Sequence, residues 1–337
     1  MIFAAGHPLL GAEPATPDFK EVYDLIHEHL KGVSDAELDR AAVDGLLKAF
    51  WPKVSLVTNE TAAGGTSETP LVSKETIYEN NLGYVRVARV GEGLAAQVDN
   101  AFQRLNATNK LAGVVLDLRY CDGADYGAAA DTADLFLDKV QPLLNWGNGV
   151  VSSHENTNAI QVPVAVLVNH ETSRAAEALA AVLRESGVGL ILGGTTAGDA
   201  LAMQDYPLKG GGKLEIATSP VLLGDGSEIS RKGVKPDIQV TVSAADERAF
   251  FNNAFLQLPK TNLTAGAGGG LLGATNRVQH VRISEAELVR EHKLGINPDS
   301  DFDLPVAKPG PPVVSDPTLA RALDLLKGLA VVRREHR

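Results

Sequence analysis

The run from Val162 to Asp199, VPVAVLVNHETSRAAEALAAVLRESGVGLILGGTTAGD, leaves this chain few folds to choose from. Val162 to Val168 is a near-continuous apolar run with the length and branched-residue content of a buried strand. A polar turn follows at Asn169, His170 and Glu171, where Thr172 or Ser173 can cap a helix. That helix carries Ala175, Ala176, Leu179, Val182 and Leu183 on one face, with Glu177 early and Arg184 late to suit its dipole, and stops at Gly187. Val188 to Leu192 returns as a second strand and breaks at Gly193 and Gly194, which completes a βαβ unit. A strand that enters a helix through a sharp turn gathers free backbone N–H groups and the helix dipole at one point, a common seat for nucleophiles and anions. Ser173 stands at that point, either as a helix cap or as a nucleophile.

The flanking sequence repeats the theme. Gly83 to Val90 (GYVRVARV) alternates apolar and basic residues as a half-exposed strand, and a helix from about Leu94 to Leu105 follows. Leu111 to Leu118 reads as a buried strand that ends in Asp117-Leu118-Arg119 and a tight Asp122-Gly123 turn, and Gly127 to Leu137 as the next helix. Asp117 and Arg119 are two apart on a strand and share a face, so an ion pair that anchors the turn is expected of them. Lys213 to Leu222 and Gly226 to Ser230 read as strands, Ile238 to Val242 as an edge strand and Ala244 to Gln257 as a helix.

Outside this core, Asp18 to Leu30 and Asp35 to Phe50 have helical apolar spacing, with Pro17 before the first and Ser34 capping the second, and form a helical hairpin. The segments expected are 1–17, a signal remnant or plain disordered terminus; 18–52, helical; 53–82, a linker; 83–258, the core; and 259–337, an extension. In the extension Thr264 to Ala274 is Gly-rich, Ser284 to His292 a short helix, Asn297 to Pro317 a linker, and Leu319 to Val332 a closing helix with Leu319, Leu323, Leu326 and Leu329 as its packing face.

Composition narrows the function. A net charge of −11 argues against broad nucleic-acid binding, which relies on Lys and Arg against phosphate. No run approaches the ~20 apolar residues of a membrane span. The single Cys121 can form no internal disulfide, and no Cys/His spacing resembles a zinc site, so neither metal nor cofactor is expected.

Four motifs in order, GYVRV, GVVLDLRYCDGA, the Val162–Asp199 run and DGSEISRKGVKPDIQV, make the chain resemble the tail-specific, or C-terminal processing, serine peptidases and their retinoid-binding relatives over roughly Gly83 to Val242. The resemblance implies an α/β, crotonase-like ββα core, to which the residue pattern adds an N-terminal helical hairpin and a C-terminal helical extension. It also implies an extracytoplasmic location. The family often inserts a PDZ module where Lys53 to Asn81 lies, a stretch too short to hold one. Family members carry a Ser nucleophile and a Lys base. Anchoring on Glu177 puts Arg174 at the nucleophile position, and continuing without a gap through Gly198 puts Asp199 at the base position. Arg can neither attack nor deprotonate, because its guanidinium stays charged and has no acceptor. The expectation is therefore an Arg174–Asp199 ion pair across the site, with Gly123, Ala124 and Ala175 offering the oxyanion-type backbone donors.

Three functions remain open on this reading. The first is a catalytically impaired pseudo-peptidase that binds peptides or unfolded protein C-termini; the second, an active serine endopeptidase using Ser173 with a non-standard base; the third, a carrier of small apolar ligands. His170 and His154 give no clear base, the first too close to Ser173 in sequence and the second in a polar loop. Oligomeric state is not fixed by sequence.

Overall fold

The computed structural model describes residues 17–58, 70–257 and 313–335. The described residues up to 240 together with 322–335 form one compact unit, and those from 241 to 321 form another. The first unit is built on a six-stranded sheet of order β12-β8-β7-β4-β3-β2, formed by β2 (Val72–Tyr78), β3 (Leu82–Val87), β4 (Gly113–Asp117), β7 (Val164–Val168), β8 (Gly189–Gly193) and β12 (Ile238–Gln239). All neighbours are parallel except β2 and β3. Parallel strands need crossovers, and the sequence supplies them as α3 (Leu94–Asn109), α4 (Tyr126–Asp134) and α5 (Arg174–Glu185). This is the α/β core expected, and the βαβ unit at its centre is β7, α5 and β8.

One hydrophobic core joins Val85, Val87, Val114, Leu116, Val166 and Ile191 of the sheet to apolar residues of α3, α4 and α5. The alternate residues Tyr84, Val115, Ala165 and Leu167 are buried as well, so the sheet is covered on both faces. Gly83 to Val90 is thus not the half-exposed strand its alternation suggests. Within it β3 is an interior strand, and the guanidinium of Arg86 is accommodated by donating from Nε to the hydroxyl of Tyr84 at 2.9 Å.

A second, three-stranded sheet of order β1-β10-β9 comprises β1 (Val54–Val57), β10 (Lys213–Pro220) and β9 (Leu201–Pro207), all antiparallel. A third, β11-β5-β6, comprises β5 (Pro142–Asn145), β6 (Val151–Ser152) and β11 (Leu222–Leu223). The stretch expected as a linker, 53–82, contributes β1 and β2 to two different sheets. Gly226 to Ser230 is not the strand expected: it turns tightly back on Leu223, whose amide donates to the Ser227 carbonyl at 2.8 Å, and makes only an isolated bridge between Leu222 and Glu228.

The N-terminal helices α1 (Phe19–His29) and α2 (Asp35–Phe50) are present, α2 opening on a full capping box between Ser34 and Glu37. Neither helix buries a residue, and Phe19 is 62% exposed. In the second unit α6 (Ala244–Asn252) is capped by Ser243, and the amides of Ser315 and Asp316 donate to the Ala254 carbonyl. The closing helix, α7 (Pro317–Glu335), places Leu326 in the first unit against Gly113, where an added Cβ would come within 3.0 Å of it. Lys327 of the same helix pairs with Glu79 at 3.0 Å. The Gly-rich stretch, the short helix and all of the Asn297–Pro317 linker up to residue 312 lie outside the described residues. No described helix is long and apolar enough to cross a membrane.

Candidate functional site

The carboxyl ends of β4 and β7 meet at the turn into α5. Leu118 and Asn169 are stitched together there by Thr172, whose hydroxyl donates to the Leu118 carbonyl at 2.8 Å and accepts from the Asn169 amide at 3.0 Å. Below them Asp117 and Arg119 are fully buried and paired, Nη2 to Oδ2 at 2.7 Å, as their shared face requires; the Tyr84 hydroxyl donates to the same carboxylate at 2.7 Å. This cluster fixes the floor of the turn and is closed to solvent.

The next residues run alongside 121–123. The Ser173 amide donates to the Cys121 carbonyl at 3.0 Å and the Ala175 amide to the Gly123 carbonyl at 2.9 Å. Between them Arg174 is forced to φ +52°, a left-handed conformation costing about 1–2 kcal/mol for a residue with a Cβ. The chain therefore turns as sharply as a nucleophile elbow would, with Arg174 at its apex. Gly123 is needed opposite it: at φ +145° an added Cβ would lie 2.2 Å from the Val90 carbonyl oxygen.

A second loop, 196–199, closes the site from the other side and is organised by Glu177. This carboxylate is fully buried on α5. It accepts from the Thr196 hydroxyl, from the Gly198 amide at 2.9 Å and from the Asp199 amide at 3.0 Å. Burial pushes its pKa up to about 7 against the pull of these donors, and the nearby Asp199 charge adds to the rise. Thr196 in turn accepts from the Val234 amide at 2.7 Å, which ties the loop to the 233–237 turn.

Arg174 and Asp199 do meet, but not as the ion pair expected. Asp199 Oδ1 accepts from the backbone N–H of Arg174 at 2.9 Å, while the guanidinium turns away to lie 3.8 Å from Glu215 Oε2. The left-handed backbone at 174 separates the directions of amide and side chain, so one carboxylate takes the amide and another faces the guanidinium. The expected donor set is also revised. The Ala175 N–H is already bonded to the Gly123 carbonyl, and in that same trans peptide the Ala124 N–H points the opposite way, which leaves only the Gly123 amide of the three residues named. Ser173 occupies the N-cap with extended backbone but its side chain makes no capping bond. His170 is exposed beside Glu171, and His154 is held by Asp134 at 2.9 Å; neither touches Ser173.

Arg174 opens onto a cleft of about 630 Å³ whose walls include Tyr126, Trp146, Met203, Lys213 and Glu215. Lys213 spans two carboxylates, at 2.7 Å from Asp205 and 3.1 Å from Glu215, and both hold its pKa above the ordinary lysine value. Glu215 Oε2 also accepts from the Ser55 hydroxyl at 3.0 Å. The Tyr126 hydroxyl donates to the Leu201 carbonyl at 2.9 Å, and burial pushes its pKa far above the ordinary range. Trp146, Lys213 and Glu215 were not singled out from sequence. The i, i+2 spacing of Lys213 and Glu215 on a strand does put them on one face, which was the available signal. Among the described residues, no cluster of His, Cys, Asp and Glu is arranged to hold a metal ion.

Comparison with known proteins covers the stretch of chain that carries this site. Residues 81–240 match the family model described as peptidase family S41. The carboxy-terminal processing protease CtpA of Bacillus subtilis is 28% identical over 198 residues, covering 56% of this chain and 42% of that protein. The chloroplastic C-terminal processing peptidase of Tetradesmus obliquus is 31% identical over 166 residues, covering 48% and 36%. The chain thus spans less than half the length of these curated relatives. Among solved structures, a lipoprotein from Streptococcus agalactiae has the same fold at a TM-score of 0.50 and 14% identity, covering 69% of this chain and 87% of that one.

Proposed function

Residues 81–240 belong to peptidase family S41, and from that premise we propose that this chain is a catalytically impaired member which holds peptides or protein C-termini without cutting them. One observation carries the reading. At the apex of the elbow, where the resemblance puts the nucleophile, stands Arg174, and the residue at the base position, Asp199, is bound to the Arg174 main chain. A Ser hydroxyl attacks only when a neighbouring base takes its proton. Ser173, one residue before the apex, has no His, Lys or carboxylate hydrogen-bonded to it among the described residues.

The site still keeps what binding requires: a cleft of about 630 Å³ with aromatic and aliphatic walls and a few placed charges. The test is cleavage of carboxymethylated α-lactalbumin, which stays unfolded, by the purified chain and by its Ser173→Ala form, followed by a pull-down on the immobilised chain. We expect no cleavage by either and retention of the substrate by both. Cleavage by the parent that disappears in Ser173→Ala would establish a working nucleophile and overturn the reading.

A further inference from the structure

Arg174 is three-quarters buried, its side chain 22% exposed. Among the described residues, the one carboxylate within 4 Å of its guanidinium is Glu215, at 3.8 Å, beyond hydrogen-bonding distance. No hydrogen bond is made by any of its five side-chain N–H groups among the described residues. Glu215 is meanwhile committed elsewhere, with Oε1 on Lys213 at 3.1 Å and Oε2 on the Ser55 hydroxyl at 3.0 Å. Asp205 is held by Lys213 and Asp199 by the Arg174 amide. The lining charges of the cleft therefore balance, two cations against two carboxylates, yet the planar fork of Arg174, which lines the cleft, has no hydrogen-bonded acceptor among the described residues. A desolvated guanidinium in that state favours a bidentate partner.

We infer that Arg174 anchors a ligand carboxylate, and that the Trp146 and Met203 wall beside it takes the apolar side chain next to that carboxylate, the chemistry of a peptide ending in a large apolar residue. This deepens the proposed function and rests on its binding half. Glu215 is the competing anion, so it limits affinity, whereas in a merely structural arrangement it would support the site.

The probe is acetyl-Ala-Ala-Phe as the free acid and as the C-terminal amide, with acetyl-Ala-Glu-Ala-Phe-amide carrying an internal carboxylate. Trp146 reports binding by its fluorescence. The only other tryptophan, Trp51, is 65% exposed and does not line the cleft, so it is replaced by Phe in every sample. The free acid is expected to bind about tenfold or more tighter than the amide, the range of one bidentate charge-assisted contact. Arg174→Gln should remove that preference. Glu215→Gln should raise free-acid affinity severalfold, a change opposite in sign to any loss of folding, which keeps the test decisive if Arg174→Gln proves unstable. Equal binding of acid and amide, or weaker acid binding by Glu215→Gln, would overturn the anchor while leaving the non-cleaving peptide reading intact. Preference for the internal-Glu peptide over the free acid would overturn the C-terminal assignment. Binding of none of the three would remove the anchor and the binding half together, and cleavage would defeat the functional reading instead.

Discussion

Glu177 is a buried carboxyl whose raised pKa ties stability to pH. It is fully buried, with a folded-state pKa raised to about 7 from a reference of 4.5. Two influences oppose each other at this carboxyl. Desolvation disfavours the charged form, while three donors, from Thr196, Gly198 and Asp199, favour it, and the balance falls to desolvation. The folded state therefore holds a proton between pH 4.5 and 7 that the unfolded state has released. The stability contributed by protonation is fully present below about pH 4.5 and is lost as the pH rises through 7. A rise of about 2.5 pKa units at 1.36 kcal/mol each corresponds to about 3 kcal/mol lost over that window. Glu177→Gln removes the titration. It also turns an NH2 toward a donor amide, so the variant starts about 1–3 kcal/mol less stable at pH 5. Urea unfolding of both proteins at pH 5, 6, 7 and 8 gives the difference between their curves, in which other titrating groups cancel. The parent's advantage should fall by about 2.5 kcal/mol from pH 5 to pH 8, to near zero or to the opposite sign. Parallel curves, or a parent that gains on the variant as pH rises, would mean the three donors outweigh burial and would refute the reasoning.

Two further outcomes are expected. Gly123→Ala should lower stability by about 3 kcal/mol or more, since it combines a positive φ with a Cβ 2.2 Å from the Val90 carbonyl oxygen. Gly147→Ala, at φ +112° with nothing within 4 Å, should cost only about 1 kcal/mol; similar urea midpoints for the two would contradict the overlap. Arg119→Met should cost about 3–5 kcal/mol by leaving Asp117 buried and unneutralised, and adding Asp117→Asn should recover a good part of it. A double variant no more stable than the single one would show that the charge is not what destabilises.

The βαβ unit was legible because its strands are apolar throughout and its helix is bounded by polar residues at one end and Gly187 at the other. Ser34 and Glu37 announced the start of α2 in the same local way. The strands β2 and β9 were missed for a physical reason: each lies at the edge of its sheet, so polar side chains such as Lys74, Glu75 and Asp205 are tolerated and the apolar signal is diluted. The strand GYVRVARV misled in the opposite direction, since an interior strand can carry an arginine when a tyrosine hydroxyl receives it. At the site, the family resemblance anchored on Glu177 pointed to residues 174 and 199, which the structure joins through the Arg174 amide and the Asp199 carboxylate. What it could not carry was direction. The side chain of Arg174 points where a left-handed backbone sends it, and arginine gives no sign of that conformation. The closure of the Ala175 amide depends on the orientation of one peptide group at Gly123, which no side chain records.

That peptide group has a consequence for anyone wishing to build an enzyme here. Substituting Ser at 174 and Lys at 199 would supply a nucleophile and a base, yet a developing oxyanion would still meet the Gly123 carbonyl, itself an acceptor, where a donor is required. Rotating the Gly123–Ala124 peptide by about half a turn would free the Ala175 amide and swing the Ala124 amide to the side the carbonyl had occupied. Glycine is the residue whose backbone tolerates such a rotation most readily. Activity would thus hinge on the population of a rotated main-chain state, a quantity that side-chain grafting leaves unchanged.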